Sequence, residues 1–382
     1  MAQNTLIQGL YQQFGADLRV ITVAANFDDP SVLNRVTRQR NIRLGCGAEA
    51  VAVGNMNYGK LIYYLSIIVT YTRALLRIVR ERKDRRLLVI TSGPYVFTAL
   101  PVWIAGMSGR ICWVPFLIGS VELPDYRGPL SLISRLSKVM ITKASGSITY
   151  VERSSVDYTD KPYVTILFSL DESVVATSDR YFQEGRQQKP FTIMYSGALT
   201  KIKGADILLD VIHQAGDSYH WVICGGGPYE NEFRRLSDEL DCVEYLGVLP
   251  HPEVIRLQCQ ADVLIALQSQ DNEVYRYYAR YAATSKLIEY LVSGTPVITP
   301  DVEAINSVLR PYLNFLDSQA PQAIVEAIDR IRDNYQVYRE KSVSARESVK
   351  QIANAEYQNQ RVLEFLDEVY SGWVARKGHG PS

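Results

Sequence analysis

The sequence has no excess of charge of either sign, since Lys plus Arg and Asp plus Glu each total 41 in its 382 residues. A chain without a net positive field has no general attraction to nucleic acid, and no nucleic-acid partner is expected. Metal-binding side chains are also scarce, with four histidines and five cysteines and no C-x-x-C pair. We therefore expect reduced thiols, no metal site and a cytoplasmic protein.

A signal peptide and a clean membrane-spanning run are missing as well. The first 20 residues lack the basic start and small-residue cleavage site of a secretory signal. The most apolar stretch, 61–79, contains Arg73 and Arg77 and falls short of the roughly 20 apolar residues of a spanning helix. Helices at 61–80 and 130–143 combine apolar and basic residues, which indicates either packing on a sheet or a peripheral contact with the inner face of a membrane.

Apolar residues make up 47% of the chain, which excludes general disorder, and its length favours two domains. Short apolar runs alternate with helical patterns in both halves, the signature of parallel sheets covered by helices. We expect an α/β fold with an acceptor-side domain at 1–175, a linker near 171–190, a second domain at 190–345 and a C-terminal helix at 346–382 that packs back on the first domain. Residues 322–334 and 335–366 have the spacing of the last main helices.

Three segments of the second half place chemistry after apolar strands, where ligands bind in open α/β sheets. In SGALTKIKG (196–204), Lys203 precedes a predicted helix and suits a diphosphate; an isolated solvated lysine is the alternative. In HWVICGGGP (220–228), Gly225 to Gly227 allow close approach to a ligand or simply form a turn. In TSKLIEYLVSGTPV (284–297), Thr284 or Ser285 is a plausible N-cap, and Glu289 suits ribose hydroxyls or forms an ordinary helix pair with Lys286.

In this order and spacing, the three segments resemble the C-terminal domain of GT-B glycosyltransferases of family 4, also called glycosyl transferases group 1. The S-K-L-x-E-Y form is similar to a subgroup of polysaccharide-assembly transferases. The resemblance implies two doubly wound, Rossmann-like domains with a cleft between them. It also implies metal-independent transfer, with retention, of a hexosyl group from a UDP- or GDP-sugar to a surface-polysaccharide or polyprenyl-linked glycan, without a cofactor.

By motif position, the resemblance assigns Lys203 to the diphosphate and Glu289 to the ribose, with Lys286 as a further catalytic cation. The residues that it places around the nucleotide are Gly197, Gly225, Gly226, Gly227, Thr284, Ser285 and Leu287.

Several positions depart from the family pattern. Ala198 stands where many relatives have an arginine and Tyr281 where many have a glutamate, so we expect Lys286, or less directly Arg280, to supply the missing cation. The chain opens on a helical pattern where the family has a strand, which indicates either that the given start is late or that the first strand is missing. In the first half, Ser92, Gly93, Gly119, Ser120 and Glu122 follow predicted strands on the acceptor side.

These departures leave two alternatives open. One is a non-catalytic GT-B subunit that stabilises a partner transferase. The other is a nucleotide-sugar epimerase, which shares the GT-B fold but against which the E-Y-L-V-S-G-T-P-V element argues.

Overall fold

The computed structural model describes residues 2–23, 36–37, 40–44, 46–53, 55–56, 60–93, 96–117, 129–152, 157, 160–184, 190–282 and 285–378. The chain divides into two compact units, Met1–Ile166 together with Gln358–Ser382, and Leu167–Tyr357. The described residues contain no cis peptide bond, and each described residue with positive φ is a glycine.

The described residues of the first unit form nine strands and the helices α1 (Ala2–Phe14), α2 (Lys60–Glu81), α3 (Val96–Gly106) and α4 (Pro129–Ile141). The strands are β1 (Val20–Val23), β2 (Val36–Thr37), β3 (Arg40–Arg43), β4 (Glu49–Val53), β5 (Asn55–Met56), β6 (Leu87–Ser92), β7 (Ile111–Leu117), β8 (Ser147–Thr149) and β9 (Tyr163–Thr165). β6 to β9 form a parallel sheet in chain order, and β7 is buried along its whole length. β1, β4 and β3 form a separate mixed sheet, and β2 pairs with β5.

Helix α2 is the apolar segment that the sequence singles out. Among the described residues, its portion Ile62–Glu81 is long and apolar enough to cross a membrane by length and composition, although 22% of the apolar window is buried. By this measure Arg73 and Arg77 do not make the segment too polar to span a membrane, contrary to the expectation that they break its apolar run. Its packing is a separate matter, because Ile67, Leu75 and Val79 are buried within the unit.

The described residues of the second unit form eight full α-helices and six strands, apart from the first residues of a helix that begins at Ala355. The helices are α5 (Glu172–Glu184), α6 (Ala205–Ala215), α7 (Glu230–Glu239), α8 (His251–Gln260), α9 (Glu273–Tyr281), α10 (Lys286–Val292), α11 (Pro321–Asp333) and, ending the unit, α12 (Tyr335–Ile352). The strands are β10 (Thr192–Ser196), β11 (His220–Cys224), β12 (Val243–Gly247), β13 (Val263–Ile265), β14 (Val297–Pro300) and β15 (Asn314–Leu316).

These six strands form one parallel sheet in the order β12-β11-β10-β13-β14-β15. Numbered within the unit, that is the 3-2-1-4-5-6 order of a doubly wound nucleotide-binding fold. The central strands are apolar and fully buried because helices cover both faces of the sheet. The order reverses between β10 and β13, which places the ligand crevice of such a sheet beside the end of β10.

The predicted linker near 171–190 is wrong over its first part, where α5 forms a packed helix. Ser178 is buried and donates a hydrogen bond to the Val292 carbonyl oxygen at 2.8 Å. Arg346, also buried, stacks on the Phe182 ring at 4.4 Å and pairs with Asp179 of α5. The sequence of α5 is mostly polar, so it does not show a helical apolar pattern. Its buried face is narrow and consists of Val174 and Ser178, which lie one helical turn apart.

The single helix predicted at 335–366 is two helices, α12 and α13 (Ala355–Gly378). Asn354 lies at the break, where its side-chain oxygen accepts hydrogen bonds from the backbone N–H groups of Glu356 and Tyr357. An asparagine that caps the next helix ends the continuous helical pattern. From Gln358 onward α13 belongs to the first unit, where the Tyr370 hydroxyl donates to the Arg86 carbonyl oxygen.

Candidate active site

Two loops at the ends of neighbouring strands are in direct contact at the point where the strand order reverses. The Gly197 N–H after β10 donates to the Cys224 carbonyl oxygen at 2.9 Å, and the Leu199 N–H donates to the Gly226 carbonyl oxygen at 2.9 Å. Gly225, with φ of +142°, lies so close that a Cβ atom on it would be 1.8 Å from the Gly197 oxygen. The glycine-rich turn is therefore required first by the packing of the two loops.

Gly227 meets the same loop, since a Cβ on it would be 2.6 Å from the Leu199 oxygen. Gly226 is different: its φ is not positive, and it faces the Val248 side chain. The structure thus brings Gly197 and all three predicted glycines to one edge of the sheet and gives two of the three a packing role that their sequence pattern does not reveal.

Lys286, the first residue of α10, reaches across this edge. Its Nζ lies 3.9 Å from the centroid of the Tyr195 ring and 5.7 Å from that of Tyr290. Burial, and to a smaller extent the nearby Lys203 ammonium, lower the pKa of Lys286 to about 7, while the Glu289 carboxylate partly opposes both effects. The three predicted catalytic residues therefore share one electrostatic environment.

Lys203 ends a short 3₁₀ turn, Lys201–Lys203, between β10 and α6. Burial lowers its pKa also. Its neighbour Lys201 is exposed and pairs with Asp206 and Asp271, so the two lysines of this turn are in opposite surroundings. A half-buried cation close to a second one creates a local positive potential that an anion such as a diphosphate would neutralise.

The platform below Lys286 is held by buried tyrosine hydroxyls. The Tyr195 hydroxyl donates to the Ala198 carbonyl oxygen at 2.9 Å, and the Tyr290 hydroxyl accepts from the Ser196 N–H at 2.8 Å. Burial raises the pKa of both tyrosines far above the physiological range, so both rings stay neutral. A fixed neutral ring face attracts the Lys286 ammonium and keeps it oriented.

Glu289 lies one turn further along α10, with its Oε2 3.2 Å from the Nε2 of His251. About a quarter of its side chain (27%) is exposed, which leaves the carboxylate accessible for hydroxyl groups. His251 begins α8 and was not selected from the sequence. It follows β12 and Pro250 at a strand-to-helix junction, which is the signal that marks the other site residues and that would have identified it.

Other predicted residues have different roles or positions. Thr284 lies outside the described residues. Ser285 makes no capping hydrogen bond, because its backbone is already helical whereas capping serines are extended. Leu287 is buried in the hydrophobic core.

The positions that depart from the family pattern are now located. Ala198 is exposed at the loop after β10. Tyr281 is buried with its ring 4.9 Å from that of Tyr277, so this position is a packing position. Arg280, the second candidate for the missing cation, forms an ion pair with Glu303 at 3.1 Å.

On the acceptor side, Ser92 is exposed at the end of β6, and the Gly93 N–H donates to the Phe116 carbonyl oxygen. Gly119, Ser120 and Glu122 lie outside the described residues. Within the described ranges, no three His, Cys, Asp or Glu side chains come together as metal ligands do.

The family model for glycosyl transferases group 1 matches residues 178–351, which include every element of the site just described. The second unit carries a glycosyl transferases group 1 domain. The match begins within α5, in agreement with the packing of that helix on the group 1 domain. Among the curated proteins, none matches the sequence.

Solved structures resemble the chain over most of its length. Sucrose-phosphate synthase from Thermosynechococcus elongatus matches with a TM-score of 0.66 and 15% identity, over 96% of this chain and 92% of that one. A glycosyltransferase from Rickettsia africae matches with a TM-score of 0.67 and 12% identity, over 97% and 94%. HepE from Anabaena, solved with UDP, matches with a TM-score of 0.53 and 15% identity, over 81% and 84%. At these identities the similarity shows the fold, and the fold is GT-B.

Proposed function

We propose that the chain is a glycosyltransferase that moves a hexosyl group from a UDP- or GDP-sugar to a glycan acceptor. The observation that carries the proposal is the position of Lys286, which lies against Gly197 at the end of β10, beside the reversal of strand order, with Lys203 and Glu289 near enough to shift its pKa. The group 1 domain and the structure of Anabaena HepE with UDP-glucose support a nucleotide-sugar donor.

The two lysines would bind the diphosphate. Both are partly withdrawn from water and repel each other, which is unfavourable until an anion neutralises them. As the bond to the sugar breaks, negative charge grows on the departing diphosphate, and cations fixed before the reaction stabilise it without reorganisation. Glu289 would accept hydrogen bonds from the two ribose hydroxyls, with its second oxygen held by His251.

The finer parts of the proposal come from the resemblance to the polysaccharide-assembly subgroup. They are transfer with retention, independence of metal ions and of other cofactors, and an acceptor that is a surface polysaccharide or a polyprenyl-linked glycan. Such an acceptor places the protein in the cytoplasm at the inner face of the membrane.

A second candidate is a non-catalytic subunit that stabilises a partner transferase. The observation that favours it is Ala198, which leaves the exposed loop after β10 without the cation found there in many relatives. The two candidates differ in turnover, since a non-catalytic subunit would keep the nucleotide site without releasing nucleotide.

Nucleotide release from a panel of UDP- and GDP-sugars, with and without a lipid-linked acceptor, tests the proposal. Lys203→Ala and Glu289→Ala should each lower turnover about 100-fold, the usual effect of removing one fixed stabilising group. Lys201→Ala, in the same turn, and Glu239→Ala, on the exposed face of α7, are the matched controls and should remain near wild type. Turnover that survives both test substitutions contradicts the site, and binding without turnover in the wild type selects the non-catalytic subunit.

A further inference from the structure

The first unit carries a concentration of exposed apolar side chains on one helical layer. Helix α3 packs against both α2 and α4, so the three helices lie side by side. Of the fifteen large apolar side chains that are exposed among the described residues, seven lie on these helices and an eighth, Met107, directly follows α3. They are Ile62, Tyr64, Leu65, Val69, Trp103, Met107, Leu136 and Val139. A folded unit leaves such a cluster exposed when it has a partner.

The outward face of α2 changes character along its length. Ile62, Leu65 and Val69 are exposed at spacings of three and four residues, which places them on one side of the helix. The same side continues through the exposed Arg73 and Arg80. The face is therefore apolar in its first half and basic in its second.

The charge of the layer is strongly one-sided, although the whole chain is neutral. Helices α2, α3 and α4 contain six lysines and arginines and a single acidic residue, Glu81. Glu81 lies at the end of α2 and pairs with Arg77. An apolar surface bordered by arginines matches the acyl boundary and phosphate groups of an anionic membrane, whereas a contact between two identical basic copies would repel.

The other side of α2 is fixed in the unit. Ile67, Leu75 and Val79 are buried, the Tyr71 hydroxyl donates to the Ile21 carbonyl oxygen at 3.0 Å, and Arg110 donates to the Val79 carbonyl oxygen. A helix that crossed the bilayer would lose these contacts and would carry Arg73 and Arg80 into hydrocarbon. The helix can keep its packing only by lying on the membrane surface.

We propose that the outward face of α2, together with Trp103 of α3 and Met107 directly after it, docks the first unit on an anionic membrane. Ile62, Leu65 and Val69 enter the boundary between headgroups and acyl chains, and Arg73 and Arg80 bind lipid phosphates. The inference rests on the proposed function for the acceptor's chemistry, because a polyprenyl-linked acceptor lies in the membrane, but the surface itself is independent of the nucleotide site.

Vesicle flotation of the full chain tests the surface. The wild-type protein should float with vesicles of phosphatidylcholine mixed with phosphatidylglycerol and remain at the bottom with phosphatidylcholine alone. Arg73→Gln with Arg80→Gln should weaken binding about 30-fold, on the order of fivefold for each arginine. Leu65→Ser with Val69→Ser should weaken it by at least about tenfold. Val337→Ser, at a valine of α12 that is 67% exposed, is the matched control and should float like the wild type.

Three outcomes would overturn the proposal: no flotation of the wild type with anionic vesicles, flotation that the α2 variants leave unchanged, or resistance of bound protein to alkaline extraction, which would indicate a spanning helix. Dimerisation abolished by the same variants, without flotation, would assign the surface to a second copy instead. UDP-sugar binding by each variant is measured in parallel. Its retention shows that the variants are folded and separates failure of the surface from failure of the proposed function.

Discussion

Lys286 lies across the backbone of Gly197: a Cβ atom added to Gly197 would be 2.8 Å from both the Cε and the Nζ of Lys286. The absence of a side chain at the end of β10 thus makes room for a lysine from α10, 89 residues later in the chain. The ammonium lies over the Tyr195 ring, 3.9 Å from its centroid. Through this contact a cation from another element reaches the start of the loop, where the residue after Gly197 is an alanine.

The affinity for a UDP-sugar should fall as the pH rises through 7. The pKa of Lys286 is lowered to about 7, so the ammonium is charged below that pH and neutral above it. Only the charged form attracts the diphosphate, which remains ionised over this range. Calorimetric titrations at about pH 6 and about pH 8 should show that the affinity for the UDP-sugar is about tenfold lower at the higher pH. Lys286→Gln should bind weakly at every pH, and an unchanged pH dependence in that variant would refute the assignment.

Gly197→Ala should weaken UDP-sugar binding more than its effect on stability explains. The new methyl group would displace the Lys286 ammonium, and the φ of +141° strains any residue other than glycine. Gly216→Ala is the matched control, with positive φ but nothing within 4 Å of the added atom. Urea denaturation should show that the free energy of unfolding falls by about 1–3 kcal/mol in each variant. Calorimetry should show weaker UDP-sugar binding only in Gly197→Ala. Equal affinities in the two variants would count against the Lys286 contact.

His251→Ala should raise KM for the donor with little change in kcat. The imidazole Nε2, 3.2 Å from the Glu289 Oε2, orients the carboxylate toward the ribose, which is distant from the bond that breaks. Loss of one such hydrogen bond costs about 1 kcal/mol, or about fivefold in KM. His251→Gln retains a donor and should recover part of the loss, whereas the exposed His213→Ala should behave as wild type. A fall in kcat without a change in KM would exclude a positioning role.

The sequence by itself determined which elements form and where the chemistry follows them. The apolar runs at 192–196, 220–224 and 297–300 are buried strands, and Gly197, Lys203 and Gly225 follow strand ends as expected. Periodicity and glycine position are local properties, so they can be read along the chain. Local patterns did not predict α5, because only Val174 and Ser178 of this helix are buried and the residues around them are mostly polar.

Only the tertiary structure decided which of these residues meet. The contact of Lys286 with Gly197 and the hydrogen bond between His251 and Glu289 join elements that are far apart in the chain, and both depend on the strand order β12-β11-β10-β13-β14-β15. The same holds for Tyr281, which stands where many relatives have a glutamate and whose ring is buried against Tyr277. A sequence specifies side chains one at a time, whereas the neighbours of a side chain are set by how strands and helices pack together.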